Sequence, residues 1–179
     1  MCQLLGMNSH LPASLTLSFT GFTQRGGGTD HHGDGWGIAF FESDDSTPGK
    51  GVRHFVDKHS AASSPMAHML RDYPIKSHNV VAHVRKATVG QVKLENTHPF
   101  VRELWGRYWV FAHNGDLRNY APKLHSSFKP VGTTDSELAF CWIMQELAKS
   151  HVDVPTVDEL TRTLQELIPQ ISSHGTFNF

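Results

Sequence analysis

Cysteine is scarce in this 179-residue chain, which holds only Cys2 and Cys141. Two thiols cannot build the framework of a disulfide-stapled scaffold. No secretory leader is expected either, since the first ten residues carry no Lys or Arg to open one. Long hydrophobic runs are absent, and none approaches the roughly 18 residues that span a bilayer. Neither charge sign dominates: 16 Lys and Arg face 17 Asp and Glu, for a formal charge of −1. A chain so nearly neutral has no electrostatic handle for nucleic acid or an anionic membrane. Despite 13 histidines there is no His-Glu-x-x-His run and no Cys/His pairing at zinc spacing. The expectation is therefore a soluble, cytoplasmic protein with no metal and no cofactor, in a reducing setting where a free thiol survives.

What is present is an apolar fraction of 39%, enough for a core in one domain of this length. Gln3 to Met7, Trp36 to Glu42, Val52 to Asp57, Asn79 to Val84 and Trp105 to Ala112 read as strands. Leu15 to Gln24 has apolar residues at helical spacing. Ser64-Pro65 opens a short helix through Arg71, with Pro65 at the first helical position. Thr134 with Glu137, and Thr156 with Glu159, form two capping-box patterns. The first opens a helix to about Lys149, and the second a helix with Leu160, Leu164, Leu167, Ile168 and Ile171 on one face. Pro169 is expected to kink or end that second helix. His113-Asn114-Gly115 reads as a turn. Gly175 to Phe179 reads as a strand that has just begun, so the expectation is a single domain over 1–179 that stops short at its C-terminus. Without regular βαβ alternation, the pattern predicts an α+β fold.

Several residues suit acyl-transfer chemistry. Removal of the initiator Met would leave Cys2 carrying both a thiol and an α-amine. An α-amine titrates near 8, about 7.7–8.0, so part of it is free to take the thiol proton at neutral pH. Asn114 and Gly115 offer a side-chain amide and a backbone N–H for an oxyanion. Arg85, just beyond an apolar strand, can hold a carboxylate through two parallel hydrogen bonds. Asp135 opens a capped helix and can meet an ammonium. Arg85 and Asp135 together would clamp an α-amino acid head group. Asp34-Gly35-Trp36-Gly37 suggests backbone packed close to a ligand or to the N-terminus, with a β-bulge as the plain alternative. Each feature alone also has a plain structural reading: a buried Cys, an Asn-Gly turn, a surface ion pair, a helix cap.

Their order along the chain is more specific. Met1-Cys2, Asp34-Gly35-Trp36-Gly37, His83-Val84-Arg85, Asn96-Thr97-His98-Pro99-Phe100, His113-Asn114-Gly115 and Thr133-Thr134-Asp135-Ser136-Glu137 follow one another. This series resembles the class II glutamine amidotransferases, N-terminal-nucleophile hydrolases, and among them the free-standing YafJ type. The resemblance implies a four-layer αββα sandwich of two antiparallel sheets, the second incomplete here. It implies that Cys2 attacks the side-chain amide of glutamine, giving a γ-glutamyl thioester and ammonia. Asn114 and Gly115 match the oxyanion positions. Arg85 matches the residue for the α-carboxylate, Asp135 the residue for the α-amine, and Thr88 a threonine near the substrate. Trp36, Gly37 and His98 are placed with them on the substrate-binding side. Where many members have Thr-His-Gly after the arginine, this chain has Thr88-Val89-Gly90.

Alternatives stay open at this point. The clamp would accept glutamine or another γ-glutamyl amide or peptide, and a domain of this type can also keep a pocket without turnover. His31-His32, His98 and His113 invite a metal reading, but their spacing does not support one; His98 and His113 read as core partners, and His54, His59, His68, His125 and His151 as surface. An ammonia-accepting partner enzyme is implied but not identified, and association through the open sheet edge would give a homo-oligomer.

Overall fold

A computed structural model describes residues 2–15, 33–42, 51–73, 75–86 and 91–179. Strands β1 (Gln3–Ser14), β2 (Trp36–Phe41), β3 (Val52–Asp57) and β4 (Lys76–Val84) form one antiparallel sheet in the order β1-β4-β2-β3. Two antiparallel pairs follow: β5 (Phe100–Leu104) with β6 (Arg107–Phe111), and β7 (Asn114–Leu117) with β8 (Gly175–Asn178). Three described helices are α1 (Pro65–Asp72), α2 (Asp135–Ser150) and α3 (Val157–Ser172). The expected mixture of helices and antiparallel strands is thus observed.

The sheet aligns the chain positions that matter. Val84 at the end of β4 pairs with Gln3 on one side and with Trp36 on the other. Cys2, Gly35 and Arg85, each one residue beyond this row, therefore meet at one end of the sheet. Alternation along β2 and β4 sends Trp36, Ile38, Phe40, Val80, Ala82 and Val84 into a core with Ala67 and Leu70 of α1. The opposite face carries the small residues Gly37 and Ala39, and there backbone approaches closely. A Cβ at Gly37 would overlap the His98 carbonyl oxygen. A second core joins Phe100, Phe111, Leu117, Phe140, Met144 and Ile171, from β5, β6, β7, α2 and α3.

Local rules explain most helix ends. Ser64 caps α1 by accepting from the Ala67 N–H at 3.3 Å, while its hydroxyl donates to Asp57 at 2.6 Å. Thr156 and Glu159 form the full capping box on α3. At α2 only half of the expected box exists. Thr134 accepts from the Glu137 N–H at 3.2 Å, but the Glu137 carboxylate turns instead to Val131 N–H, Gly132 N–H and Arg102. An arginine and two loop N–H groups offer this buried acid more than one cap N–H does.

Other expectations are corrected. β1 runs past Met7 to Ser14, with a register shift between Asn8 and Ala13. The strand expected from Trp105 begins at Arg107, and a separate strand, Phe100–Leu104, precedes it. Trp105 and Gly106 are the two loop residues between them, at φ 59° and 68°. Two successive positive φ values match the right-handed twist of a hairpin. The indole is accommodated there by edge-to-face contacts with Trp109 and His151. The Asn114-Gly115 pair is not a turn but the start of β7, because β8 runs beside it. α3 continues through Pro169 to Ser172. The helix expected over Leu15 to Gln24 lies, beyond Leu15, outside the described residues.

Candidate active site

Cys2 is half-buried at the sheet end, and its sulfur sits on the backbone that leaves β4. The Lys86 N–H reaches Sγ at 3.3 Å, and Sγ lies 3.4 Å from the Lys86 carbonyl oxygen. On the other side the Asn114 amide donates to the Cys2 carbonyl at 2.9 Å. That bond uses one N–H of the amide and leaves the second for another acceptor. Two residues 112 positions apart are thereby fixed against each other.

Gly115 follows in β7, and β8 dictates its identity: a Cβ there would overlap the Thr176 carbonyl oxygen. The ladder also sets where its N–H points. Arg118 N–H donates to the His174 carbonyl at 2.9 Å, which makes that pair a hydrogen-bonded one. Antiparallel pairs alternate, so Gly115 opposite Phe177 falls at a non-bonded position. Its N–H leaves β7 on the edge away from β8. Leu117 N–H leaves by the same edge and donates to the Asp135 carboxylate at 2.8 Å. The Gly115 N–H and the Leu117 N–H that holds the Asp135 carboxylate therefore leave one short strand by the same edge.

Arg85 is only 3% exposed. Its N–H donates to the Gly35 carbonyl at 2.8 Å, and Nη1 donates to the Gln91 carbonyl at 3.2 Å. Burial lowers the guanidinium pKa from its ordinary value, and the nearby Cys2 and Asp34 oppose that shift. Such an arginine stays charged in any protein. A partly desolvated cation beside Cys2 favours an incoming anion.

Three histidines lie behind these residues. His83 and His98 are 0% and 4% exposed, with ring centroids 4.3 Å apart. Among the described residues neither ring meets a hydrogen-bond partner. Burial pushes His83 down to about 3, with His113 and Arg85 acting in the same direction and the backbone of His113 opposing it. Burial likewise holds His98 well below the usual histidine range. His113 faces the Thr176 carbonyl from Nε2 at 3.0 Å and Ser136 Oγ from Nδ1 at 2.8 Å. A carbonyl only accepts, so Nε2 carries the proton and Nδ1 accepts from the serine. His113 thus ties β7 to both β8 and α2.

The structure brings Cys2, Arg85, Asn114, Gly115 and Asp135 into one connected region. Trp36 is 0% exposed and belongs to the first core. Gly37 packs on the His98 carbonyl, and the His98 ring lies tilted against His83 and Phe100 in the interior. Thr88 lies outside the described residues, as do His31 and His32. Among the described residues no group of three His, Cys, Asp or Glu side chains is arranged to hold a metal, and no helix is long and apolar enough to cross a membrane. Sequence reasoning passed over two participants: the Lys86 backbone that seats the thiol, and Asn96, buried behind Arg85. The position of Asn96 in the Asn96–Phe100 motif was the available signal.

A thiol seated beside a buried arginine, with amide donors on the facing strand and a carboxylate at the helix start held against that strand, is an arrangement suited to acyl transfer. The model of the class-II glutamine amidotransferases matches residues 1–179, and the chain belongs to that family. A Haemophilus influenzae protein is 49% identical over 100% of this chain and 59% of its own length. YafJ of Escherichia coli is 48% identical over 99% of this chain and 68% of its own length. The crystal structure of a predicted glutamine amidotransferase from Pseudomonas aeruginosa superposes with a TM-score of 0.72 at 43% identity, covering 99% of this chain and 67% of that one. The chain thus spans about three fifths to two thirds of the length of these relatives.

Proposed function

We propose that this chain hydrolyses the side-chain amide of glutamine through a γ-glutamyl thioester on Cys2 and releases ammonia. The observation that carries this reading is the seat of Cys2, its sulfur on the Lys86 backbone next to Arg85 and its carbonyl held by Asn114. In the proposed sequence Met1 is removed, and the freed α-amine takes the Sγ proton directly or through one water. The thiolate adds to the amide carbon, and the oxyanion is met by the second N–H of Asn114 and by the Gly115 N–H. Collapse breaks the C–N bond as the ammonium returns its proton to the leaving nitrogen. Water then adds to the thioester, the amine takes its proton, and glutamate leaves.

Arg85 would hold the α-carboxylate and Asp135 the α-amine, with Thr88 nearby. Trp36, Gly37 and His98 support this surface from within. Residues 1–179 would act as a single domain of the αββα sandwich type in the cytoplasm, with no cofactor. The ammonia would pass to a partner enzyme or another domain. The head-group clamp recognises what glutamine shares with other γ-glutamyl compounds, so related γ-glutamyl amides are the second candidate substrates.

The test compares ammonia release from L-glutamine by the purified protein and its Cys2→Ala variant. The variant should lose turnover while still binding glutamine. Full activity in Cys2→Ala would refute the mechanism.

A further inference from the structure

Asn96 closes the short 3-10 turn Leu94–Asn96 and is 1% exposed. Its amide spends nearly all of its capacity on two separate segments. Nδ2 donates to the Gln91 carbonyl at 2.9 Å and to Thr133 Oγ1 at 3.3 Å, and Oδ1 accepts from the Thr133 N–H at 2.8 Å. Reversing the amide would set N–H against N–H and oxygen against carbonyl, so its orientation is fixed by its partners.

These two segments each lead to one half of the proposed clamp. The Gln91 carbonyl also accepts from Arg85 Nη1. Thr133 lies two residues before Asp135, across the Thr134 cap. The intervening loop is pressed onto Asn96, since a Cβ at Gly132 would overlap Asn96 Oδ1 and come within 2.6 Å of the Glu95 carbonyl. From the helix side Glu137 accepts from Gly132 N–H at 2.7 Å and from Val131 N–H at 3.0 Å. The loop is therefore gripped on both sides, and Asn96 is the side chain that joins it to the Arg85 arm.

We propose that Asn96 is a positioning residue that sets the spacing between the carboxylate-binding guanidinium of Arg85 and the ammonium-binding carboxylate of Asp135. The proposal rests on the head-group reading above. It makes Asn96 a determinant of selectivity for an α-amino acid head, without contact to the substrate. Its loss should act on uniform binding of the head group and so on KM rather than kcat.

The experiment uses the full chain and counts active sites by labelling with 6-diazo-5-oxo-norleucine. Ammonia release is followed with L-glutamine and with 4-aminobutyramide, the analogue lacking the α-carboxylate. Asn96→Ala should raise KM for L-glutamine about tenfold, about 1.4 kcal/mol, with kcat per labelled site within about twofold. The preference for L-glutamine over the analogue should shrink by a similar factor. Gly132→Ala, whose added Cβ presses on Asn96 Oδ1 and displaces the loop while leaving the Asn96 side chain in the sequence, should change KM in the same direction and serves if Asn96→Ala does not fold. A labelled wild type whose variants keep KM and selectivity, while losing only thermal stability, overturns this proposal alone. A wild type that takes no label and releases no ammonia overturns the head-group reading and the proposal with it.

Discussion

At the scale of single residues, the site depends on polar groups held at unusual burial. Arg85 is almost wholly covered yet charged, and His83 is wholly covered and neutral. The histidine has a measurable consequence. Its folded-state pKa of about 3 lies below the unfolded value of 6.5. Below about pH 6.5 the unfolded chain binds a proton that the folded chain refuses, so stability falls as pH is lowered and the loss continues toward pH 3. For this one group the slope reaches about 1.4 kcal/mol per pH unit. Urea unfolding between about pH 7 and pH 5 should therefore show a shallower decline in His83→Leu than in the parent. Equal slopes would mean that His83 is not a buried neutral base. The same residue shows why sequence reading reached only so far. A histidine in an apolar strand is legible as His83-Val84-Arg85, but its ring environment is set by His98 and His113, which only the fold brings near.

Elements decide what those residues can do. Cys2, Gly35 and Arg85 were legible as motif members. Their convergence is a matter of register, because Val84 pairs with both Gln3 and Trp36. Helix starts followed the sequence closely where caps and apolar periodicity agreed, as at Ser64-Pro65 and Thr156. They failed where a long-range partner outvoted a local signal. Asn114-Gly115 is a strong turn former locally, yet β8, more than fifty residues later in the sequence, converts it to a strand. Glu137 likewise leaves its cap for Arg102 and the 131–132 backbone. This makes β8 part of the site, and Gly115→Ala is its probe. The added Cβ must push β7 from β8, at a cost of about 1–3 kcal/mol, and it should also abolish most ammonia release. Denaturant unfolding with a parallel activity assay checks both effects. An alanine variant of unchanged stability and activity would show that the close approach of Thr176 is not needed.

For the molecule as a whole, the family was legible in motifs spread from Cys2 to Glu137, because their order is far more specific than any one of them, and the family match extends over residues 1–179. The wider architecture was less so. The hairpin at Trp105-Gly106 and the long β1 depend on twist and pairing that no short window reports. The proposed function depends most on Cys2 being a processed N-terminal nucleophile in front of a γ-glutamyl head-group clamp. Intact mass before and after incubation with 6-diazo-5-oxo-norleucine tests it most directly. Loss of Met1 and a single adduct on Cys2, prevented by excess L-glutamine, are the expected result. A retained Met1, or a processed chain that forms no adduct, would contradict it.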